Sequence, residues 1–228
     1  MNRRSSSLVF LLFALVFATG AMSAAEPRNL DLLKAEIRDY VKSGEYQRDI
    51  AAVAAKAEAW LVERAARRAT PFDGAQGRAE RLAVVFDLDE TLLSNWPHID
   101  SLGLGYTAAA WEAWVADGKA PASEPVREVY RTARRLGVDV IFLSGRREHQ
   151  RAGTEKNLRA IECGEYAALI LKPDASKEKA ADYKTAQRQR LTSEGRVIIA
   201  NLGDQESDLV GGFAERSFKL PNPLYLTP

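Results

Sequence analysis

Two aspartates flank a leucine directly after an apolar run, in the sequence Leu-Ala-Val-Val-Phe-Asp-Leu-Asp-Glu-Thr. A loop that leaves a strand can turn the carboxylates of both Asp87 and Asp89 toward one site. Carboxylate oxygens suit Mg²⁺, and a carboxylate can also act as a nucleophile that forms an aspartyl-phosphate. A metal beside them would neutralise charge during phosphoryl transfer. We therefore interpret this pair as a candidate phosphoryl-transfer site, with a helix cap as the alternative.

Polar groups also follow two later apolar runs. Ser144-Gly145-Arg146 follows Val-Ile-Phe-Leu, and a serine hydroxyl with nearby backbone N–H groups, before a helix predicted to begin near Glu148, can hold a phosphate. A plain turn is the alternative. Asp204 and Asp208 follow Val-Ile-Ile-Ala-Asn-Leu-Gly. They could complete a carboxylate ring around a metal, or form a solvated acidic loop.

The elements that would position these groups can be predicted from four short apolar runs, at 82–86, 138–143, 168–171 and 196–200. Helical stretches separate them, at 125–136, 148–162 and 177–193. Continuous apolar strands alternating with helices are typical of a parallel sheet covered on both faces. We therefore predict an α/β fold, a Rossmann-like doubly wound parallel sheet. In such a sheet ligands bind outside the carboxyl ends of the strands, where the polar groups above would lie.

Two helices precede the first strand. Apolar residues recur at spacings of three and four in the second of them: Ile50, Val53, Ala54, Ala57, Trp60 and Leu61. This pattern predicts helices over 31–46 and 49–68. We expect one domain over 26–228, with a helical extension at 28–70 and a small cap insertion over the site at 94–124.

Residues 1–25 have the pattern of a secretory signal: a basic start, an apolar run from Leu8 to Met22, and a small-residue exit. The run is shorter than the roughly 20 residues that span a bilayer. We expect cleavage after Ser23 or Ala25 and export to the periplasm or the medium, with no stable membrane anchor after signal removal. An uncleaved anchor is the alternative.

The composition excludes several kinds of site. Lys+Arg number 32 and Asp+Glu 31, whereas a protein that binds a nucleic-acid polymer needs a marked basic excess. One cysteine, Cys163, excludes an intrachain disulfide and a cysteine-rich zinc module. The sequence has 2 histidines, too few for a multi-histidine dimetal hydrolase. Carboxylates must therefore supply the ligands of any metal.

Four segments carry a resemblance: Val-Val-Phe-Asp-Leu-Asp-Glu-Thr-Leu-Leu-Ser-Asn, Phe-Leu-Ser-Gly-Arg, Gly-Asp-Gln-Glu-Ser-Asp-Leu and Phe-Lys-Leu-Pro-Asn-Pro. Together they resemble the haloacid dehalogenase-like (HAD-like) phosphatases, and more narrowly the class IIIB acid phosphatases. That group includes plant acid phosphatases and vegetative storage proteins. The resemblance spans roughly residues 30–228.

This resemblance implies a secreted or periplasmic acid phosphatase that depends on Mg²⁺ and hydrolyses phosphomonoesters through an aspartyl-phosphate. Asp87 would be the nucleophile, and Asp89 the general acid/base that protonates the leaving alcohol. Ser144 would hold the transferring phosphoryl group, and Lys184 would balance its charge. The implied substrate-binding residues are Thr91, Ser144, Gly145 and Lys184.

The resemblance also implies a metal site. Mg²⁺ would be bound by the Asp87 carboxylate, the Asp89 backbone carbonyl and Asp204, with Asp208 as a supporting or alternative ligand. We expect the side chains of Asp87, Asp89 and Asp204 to converge about this ion. Two nearby lysines remain alternatives for the charge-balancing cation: Lys177 and Lys179.

Aromatic residues of the insertion have two alternative roles. The helical spacing of Trp111 and Trp114 favours packing, whereas Trp96 and His98, nearer to the nucleophile, either touch the leaving group or pack. Small phosphomonoesters, nucleotides among them, are the expected substrates. Two other functions stay open: a non-catalytic storage or binding protein on the same fold, and a phosphotransferase that uses an alcohol in place of water.

Overall fold

The structure is a computed structural model that describes residues 26–67 and 80–227. Within these ranges the helices are α1 (Leu30–Lys42), α2 (Glu45–Ala66), α3 (Trp96–Ser101), α4 (Ala108–Asp117), α5 (Glu124–Arg135), α6 (Arg151–Ala160), α7 (Ala180–Ser193) and α8 (Glu206–Leu209). The strands are β1 (Arg81–Phe86), β2 (Asp139–Arg147), β3 (Ala168–Lys172), β4 (Arg196–Gly203) and β5 (Arg216–Lys219). A short 3-10 turn covers Glu148–Gln150.

The proposed signal at 1–25 lies outside the described residues, as do Arg68, the last residue of the second predicted helix, and residues 69–70 of the predicted helical extension. Among the residues that the structure describes, no helix is long and apolar enough to cross a membrane.

The strands form one parallel sheet in the order β3-β2-β1-β4-β5. The central strand β1 is buried on both faces. Leu82 and Val84 belong to one apolar cluster, whereas Ala83 and Val85 belong to the cluster on the opposite face. Because side chains alternate across a strand, an unbroken apolar run is what a sheet covered by helices on both faces requires. The predicted α/β parallel fold is therefore confirmed.

Helices cover both faces of the sheet. On one face, the Trp60 indole Nε1 of α2 donates a hydrogen bond to the Ile199 carbonyl of β4 at 2.7 Å, and Val129 of α5 is fully buried in the same cluster. On the other face, Tyr183 and Leu191 of α7 pack against β1 and β2. The helix before the first strand thus shares the core of the sheet.

Some boundaries differ from the predicted ones for local reasons. Gly44 has a φ of 76°, a left-handed conformation that ends α1 and lets α2 begin at once, at Glu45. β2 continues past the apolar run to Arg147. The edge strand β5 was absent from the prediction, because Arg-Ser-Phe-Lys contains only one apolar side chain.

The insertion forms α3 and α4, and α4 packs closely on α6. A Cβ at Gly153 of α6 would lie 2.3 Å from the Val115 carbonyl oxygen of α4, so only glycine allows this approach. The Trp114 indole Nε1 donates to Asn95 Oδ1 at 2.7 Å. These contacts fix the insertion beside the carboxyl edge of the sheet.

Cys163 lies in the loop between α6 and β3 and is fully buried. Its backbone N–H donates to the Leu158 carbonyl at 2.8 Å. Burial raises the pKa of the Cys163 thiol to about 12, so the thiol is protonated at neutral pH.

Candidate active site

The loop after β1 brings two aspartates to the carboxyl edge of the sheet. The backbone N–H of Asp87 donates to the Leu202 carbonyl of β4 at 2.9 Å, which continues the ladder by one residue. Glu90 then adopts a left-handed conformation with a φ of 55°, and the Leu93 N–H closes the turn onto the Leu88 carbonyl at 2.8 Å.

Three buried carboxylates converge at this edge. Asp87, Asp204 and Asp208 can each place one carboxylate oxygen within 4.8 Å of the others. Asp204 follows β4 directly, and Asp208 lies on α8. A Cβ on Gly203 would lie 2.3 Å from Asp208 Cβ, so the close approach of Asp208 requires glycine at the end of β4. Oxygen ligands of this kind fit a divalent metal ion.

One buried lysine faces the carboxylates. Lys184 of α7 donates from Nζ to Asp87 Oδ1 and to Asp208 Oδ1, both at 2.5 Å. The alternatives Lys177 and Lys179 are exposed. Of the three lysines considered, the structure therefore brings Lys184 to the aspartates.

The crowding of charge shifts the acid–base equilibria of these groups. Burial raises the pKa of Asp87 well above its ordinary value, and Asp208 and Asp204 add to the shift although Lys184 opposes it. Burial would lower the pKa of Lys184, but the carboxylates of Asp87 and Asp208 hold it above its usual range. When all three carboxylates are ionised, the single ammonium leaves an excess of negative charge, which a divalent cation bound there would neutralise.

The Asp89 side chain lies differently from our prediction. The Asp89 carboxylate is not part of the cluster that contains those of Asp87 and Asp204. Instead its two oxygens accept hydrogen bonds from the buried guanidinium of Arg146 at 2.7 to 3.2 Å, and Oδ1 also accepts from Asn95 Nδ2 at 2.9 Å. A two-pronged, charge-assisted pair of this kind is strong, and the third carboxylate of the cluster is that of Asp208.

The same contacts determine the charge of Asp89. Burial would raise the pKa of Asp89, but Arg146 and Asn95 hold it below its ordinary value. Asp87 and Asp89, one residue apart, therefore have pKa values shifted in opposite directions.

The structure brings only some of the predicted phosphate-binding residues into one cavity. Ser144 and Gly145 line the same cavity as Asp87 and Lys184. Thr91 does not line it. Its fully buried hydroxyl donates to Asp204 Oδ1 at 3.2 Å, so Thr91 is placed to orient that carboxylate and not to contact a substrate.

The cavity above the carboxylates has a volume of about 380 Å³. A second, largely apolar cavity of about 370 Å³ adjoins it. Five residues line both: Asp89, Tyr106, Trp111, Tyr225 and Thr227.

The aromatic residues of the insertion lie in different parts of the structure. Trp111 lines both cavities, and His98 lines the apolar one. Trp114 stacks on His98, with ring centroids 5.3 Å apart. Trp96 lies in a separate groove beside Ile50, away from the carboxylates.

Sequence reasoning missed several residues of the site. Arg146 ends the Phe-Leu-Ser-Gly-Arg segment, two residues after Ser144, so its position in that segment could have identified it as a site residue. Nothing in the sequence links Asn222 to Asp204, which it contacts at 2.6 Å, or Tyr225 to Glu90, whose carboxylate accepts from the Tyr225 hydroxyl at 2.6 Å.

Known proteins resemble this chain in sequence. It is 42% identical over 148 residues to the stem 28 kDa glycoprotein of Glycine max, which covers 62% of this chain and 58% of that protein. It is 39% identical over 146 residues to acid phosphatase 1 of Solanum lycopersicum, with 62% and 57% covered. The chain thus spans less than two thirds of the length of these relatives.

The fold resembles that of a solved structure. The class C acid phosphatase from Bacillus anthracis superposes with a TM-score of 0.68 at 23% identity, covering 86% of this chain and 87% of that one. Residues 18–228 match the sequence model of the HAD superfamily, subfamily IIIB (acid phosphatase). The chain therefore belongs to subfamily IIIB of the HAD superfamily.

Proposed function

We propose that this protein is an exported acid phosphatase that hydrolyses small phosphomonoesters, uses Mg²⁺ and forms an aspartyl-phosphate on Asp87. The observation that carries the proposal is the contact of buried Lys184 with both Asp87 and Asp208 at 2.5 Å. The proposed nucleophile, the buried cation and the proposed metal ligands Asp204 and Asp208 line one cavity, which supports the proposal. Membership of the acid phosphatase subfamily supports the same chemistry.

In the first step, an Asp87 carboxylate oxygen attacks phosphorus and the bond from phosphorus to the alcohol oxygen breaks. Asp89 gives its proton to that oxygen, and the alcohol leaves. Lys184 balances charge on the phosphoryl oxygens, while the Ser144 hydroxyl and the Gly145 N–H hold them. Mg²⁺ bound by the Asp87, Asp204 and Asp208 carboxylates would supply further charge neutralisation, and we propose the Asp89 backbone carbonyl as an additional ligand.

In the second step, ionised Asp89 accepts a proton from water as the water oxygen attacks phosphorus. The bond between phosphorus and Asp87 breaks, and inorganic phosphate leaves. Arg146 suits this step, because its guanidinium stabilises Asp89 in the ionised form that a general base needs. The same contact opposes protonation of Asp89, because it holds the pKa of that carboxyl below its ordinary value. The first step therefore draws on the small protonated fraction of Asp89, which low pH increases.

The adjoining apolar cavity gives the leaving group room. Its aromatic lining from Tyr106, Trp111 and Tyr225 would accept aryl or nucleoside groups as well as smaller alcohols. We propose small phosphomonoesters, nucleotides among them, as the substrate class.

The test is release of a chromogenic leaving group from an aryl phosphate between about pH 4 and 8. The mature protein is first stripped of metal with EDTA and then assayed with and without Mg²⁺. We expect release that returns with Mg²⁺. No metal-dependent release would contradict the proposal and favour a storage or binding protein. Excess glycerol in the same assay tests the phosphotransferase alternative, which predicts glycerol phosphate in place of inorganic phosphate.

A further inference from the structure

We propose that Asn222 is a positioning residue that fixes the metal-ligating carboxylate of Asp204. It acts from a segment, residues 221–227, that follows the last strand of the described chain. The inference rests on the proposed function, because it assumes that Asp204 binds Mg²⁺. It gives a role to the Phe-Lys-Leu-Pro-Asn-Pro segment, which the catalytic scheme does not use.

The Asn222 amide is held at both ends. Its Oδ1 accepts from the Leu224 N–H at 2.8 Å, which closes a short turn of the kind that asparagine favours. Its Nδ2 donates to Asp204 Oδ2 at 2.6 Å. The residues on either side are Pro221 and Pro223, whose fixed φ angles limit the conformations of the turn. The donor is therefore presented to Asp204 in one orientation.

The two oxygens of Asp204 have different environments. Oδ2 accepts from Asn222 Nδ2 and also from Gln205 Nε2, each at 2.6 Å. Oδ1 accepts only the longer bond from the Thr91 hydroxyl at 3.2 Å among the contacts described. Two short bonds on Oδ2 leave Oδ1 as the oxygen for a metal ion, and they hold the carboxylate against rotation.

The rest of the segment is anchored around the same site. The Thr227 N–H donates to Gln205 Oε1 at 3.0 Å, and Gln205 Nε2 also donates to the Tyr225 carbonyl at 3.3 Å. The Tyr225 hydroxyl donates to the buried Glu90 carboxylate at 2.6 Å. Both Tyr225 and Thr227 line the cavity above the carboxylates. One segment thus supports a metal ligand and forms part of the cavity wall.

The experiment compares Asn222→Ser and Asn222→Ala with the parent protein. Serine keeps an oxygen that can accept from the Leu224 N–H but is too short to reach Asp204, whereas alanine loses both contacts. Leu226→Ala is the matched control, because the Leu226 side chain lies in the same segment and is 81% exposed. Circular dichroism melting without metal establishes that each variant is folded.

The first readout is titration calorimetry of Mg²⁺ into metal-free protein without substrate. Loss of a partner that orients a metal ligand commonly lowers affinity by 10- to 100-fold. Gln205 still holds Oδ2, so we expect about a 10-fold loss for both Asn222 variants and none for Leu226→Ala. The second readout is activity against Mg²⁺ concentration. The half-maximal concentration should rise by the same factor, while the rate at saturating Mg²⁺ recovers.

Four outcomes would overturn the inference. Parent-like Mg²⁺ affinity in Asn222→Ser would show that Asn222 only shapes the segment. An equal loss in Leu226→Ala would show that the effect is not specific to Asn222. Loss of activity that saturating Mg²⁺ does not restore would exclude positioning of a metal ligand. If the parent protein itself binds no Mg²⁺, the proposed metal site fails and the inference fails with it.

Discussion

At the scale of single residues, the acid–base properties of the site follow from which partner each carboxylate has. Asp87 and Asp208 share the ammonium of Lys184, whereas Asp89 is paired with the guanidinium of Arg146. The nucleophile and the acid/base of the proposed reaction are thus neighbours in sequence but bind different cations. This separation lets one loop supply two chemical roles.

Asp87→Asn tests the nucleophile. The variant cannot form the acyl phosphate, so kcat/KM for an aryl phosphate should fall at least about a thousandfold. The fold should persist, because the amide oxygen can still accept from Lys184 and one charge leaves a crowded acidic cluster. Circular dichroism checks the fold. Activity above about 1% of the parent would contradict the assignment.

Lys184→Met tests the buried cation. Removing one partner of a buried ion pair costs about 3 to 5 kcal/mol, so the free energy of unfolding in urea should fall markedly in metal-free protein. The rate should fall by about 100-fold or more, as when a group stabilising transition-state charge is lost.

The control for Lys184→Met is Lys179→Met, since Lys179 is an exposed lysine at the start of the same helix. It should change the free energy of unfolding by less than about 0.5 kcal/mol. Equal effects of the two substitutions would refute the special role of Lys184.

At the scale of elements, the close packing of strand ends against short helices sets the geometry of the carboxylates. Gly203→Ala would place a methyl group into Asp208. We expect a destabilisation of about 1 to 3 kcal/mol and weaker Mg²⁺ binding as Asp208 is displaced, measured by urea unfolding and titration calorimetry. The matched control is Gly145→Ala near the end of β2, where a Cβ meets nothing within 4 Å. Equal stability of the two variants would disprove the close contact.

The sequence predicts elements better than it predicts contacts between them. The short apolar runs of β1, β2, β3 and β4 identify buried strands, and the aspartates that follow the runs of β1 and β4 indicate the edge at which we propose that ligands bind. The edge strand β5 is not predicted from the sequence, because a short strand exposed at the edge of a sheet needs few apolar residues.

Some contacts of the site cannot be predicted from the sequence, because they join positions that are distant in sequence. Arg146 pairs with Asp89 57 residues earlier, and Asn222 reaches Asp204 18 residues earlier. Both pairings depend on where the folded chain brings side chains and leave no periodic pattern. Thr91 does not have the substrate-binding position that we predicted, because a polar side chain in a motif can orient a neighbouring carboxylate as readily as it can contact a substrate.

At the scale of the whole molecule, we propose that the described residues form a single domain. The Trp60 indole of α2 is bonded to the backbone of β4, so the helical extension belongs to the core that supports the site. Binding of a metal at the sheet edge should then stabilise the whole fold.

Mg²⁺ should therefore raise the melting temperature. At a concentration about 100 times its dissociation constant, a ligand adds about 2.7 kcal/mol to the free energy of unfolding. For a chain of this size that corresponds to an increase of about 5 to 10 °C, measured by differential scanning calorimetry against an EDTA-treated sample. Asp208→Asn should lose most of the increase. Identical melting curves with Mg²⁺ and with EDTA would argue against a metal site.

The buried thiol of Cys163 also has a practical consequence. Alkylating reagents attack only the thiolate form, and the raised pKa and full burial of Cys163 suppress that form in the native state. Labelling at neutral pH should proceed only when the loop between α6 and β3 opens. Because the chain has 1 cysteine, the fraction of molecules that gain the mass of one added group from iodoacetamide, followed over time, reports the opening of this loop without any engineered probe.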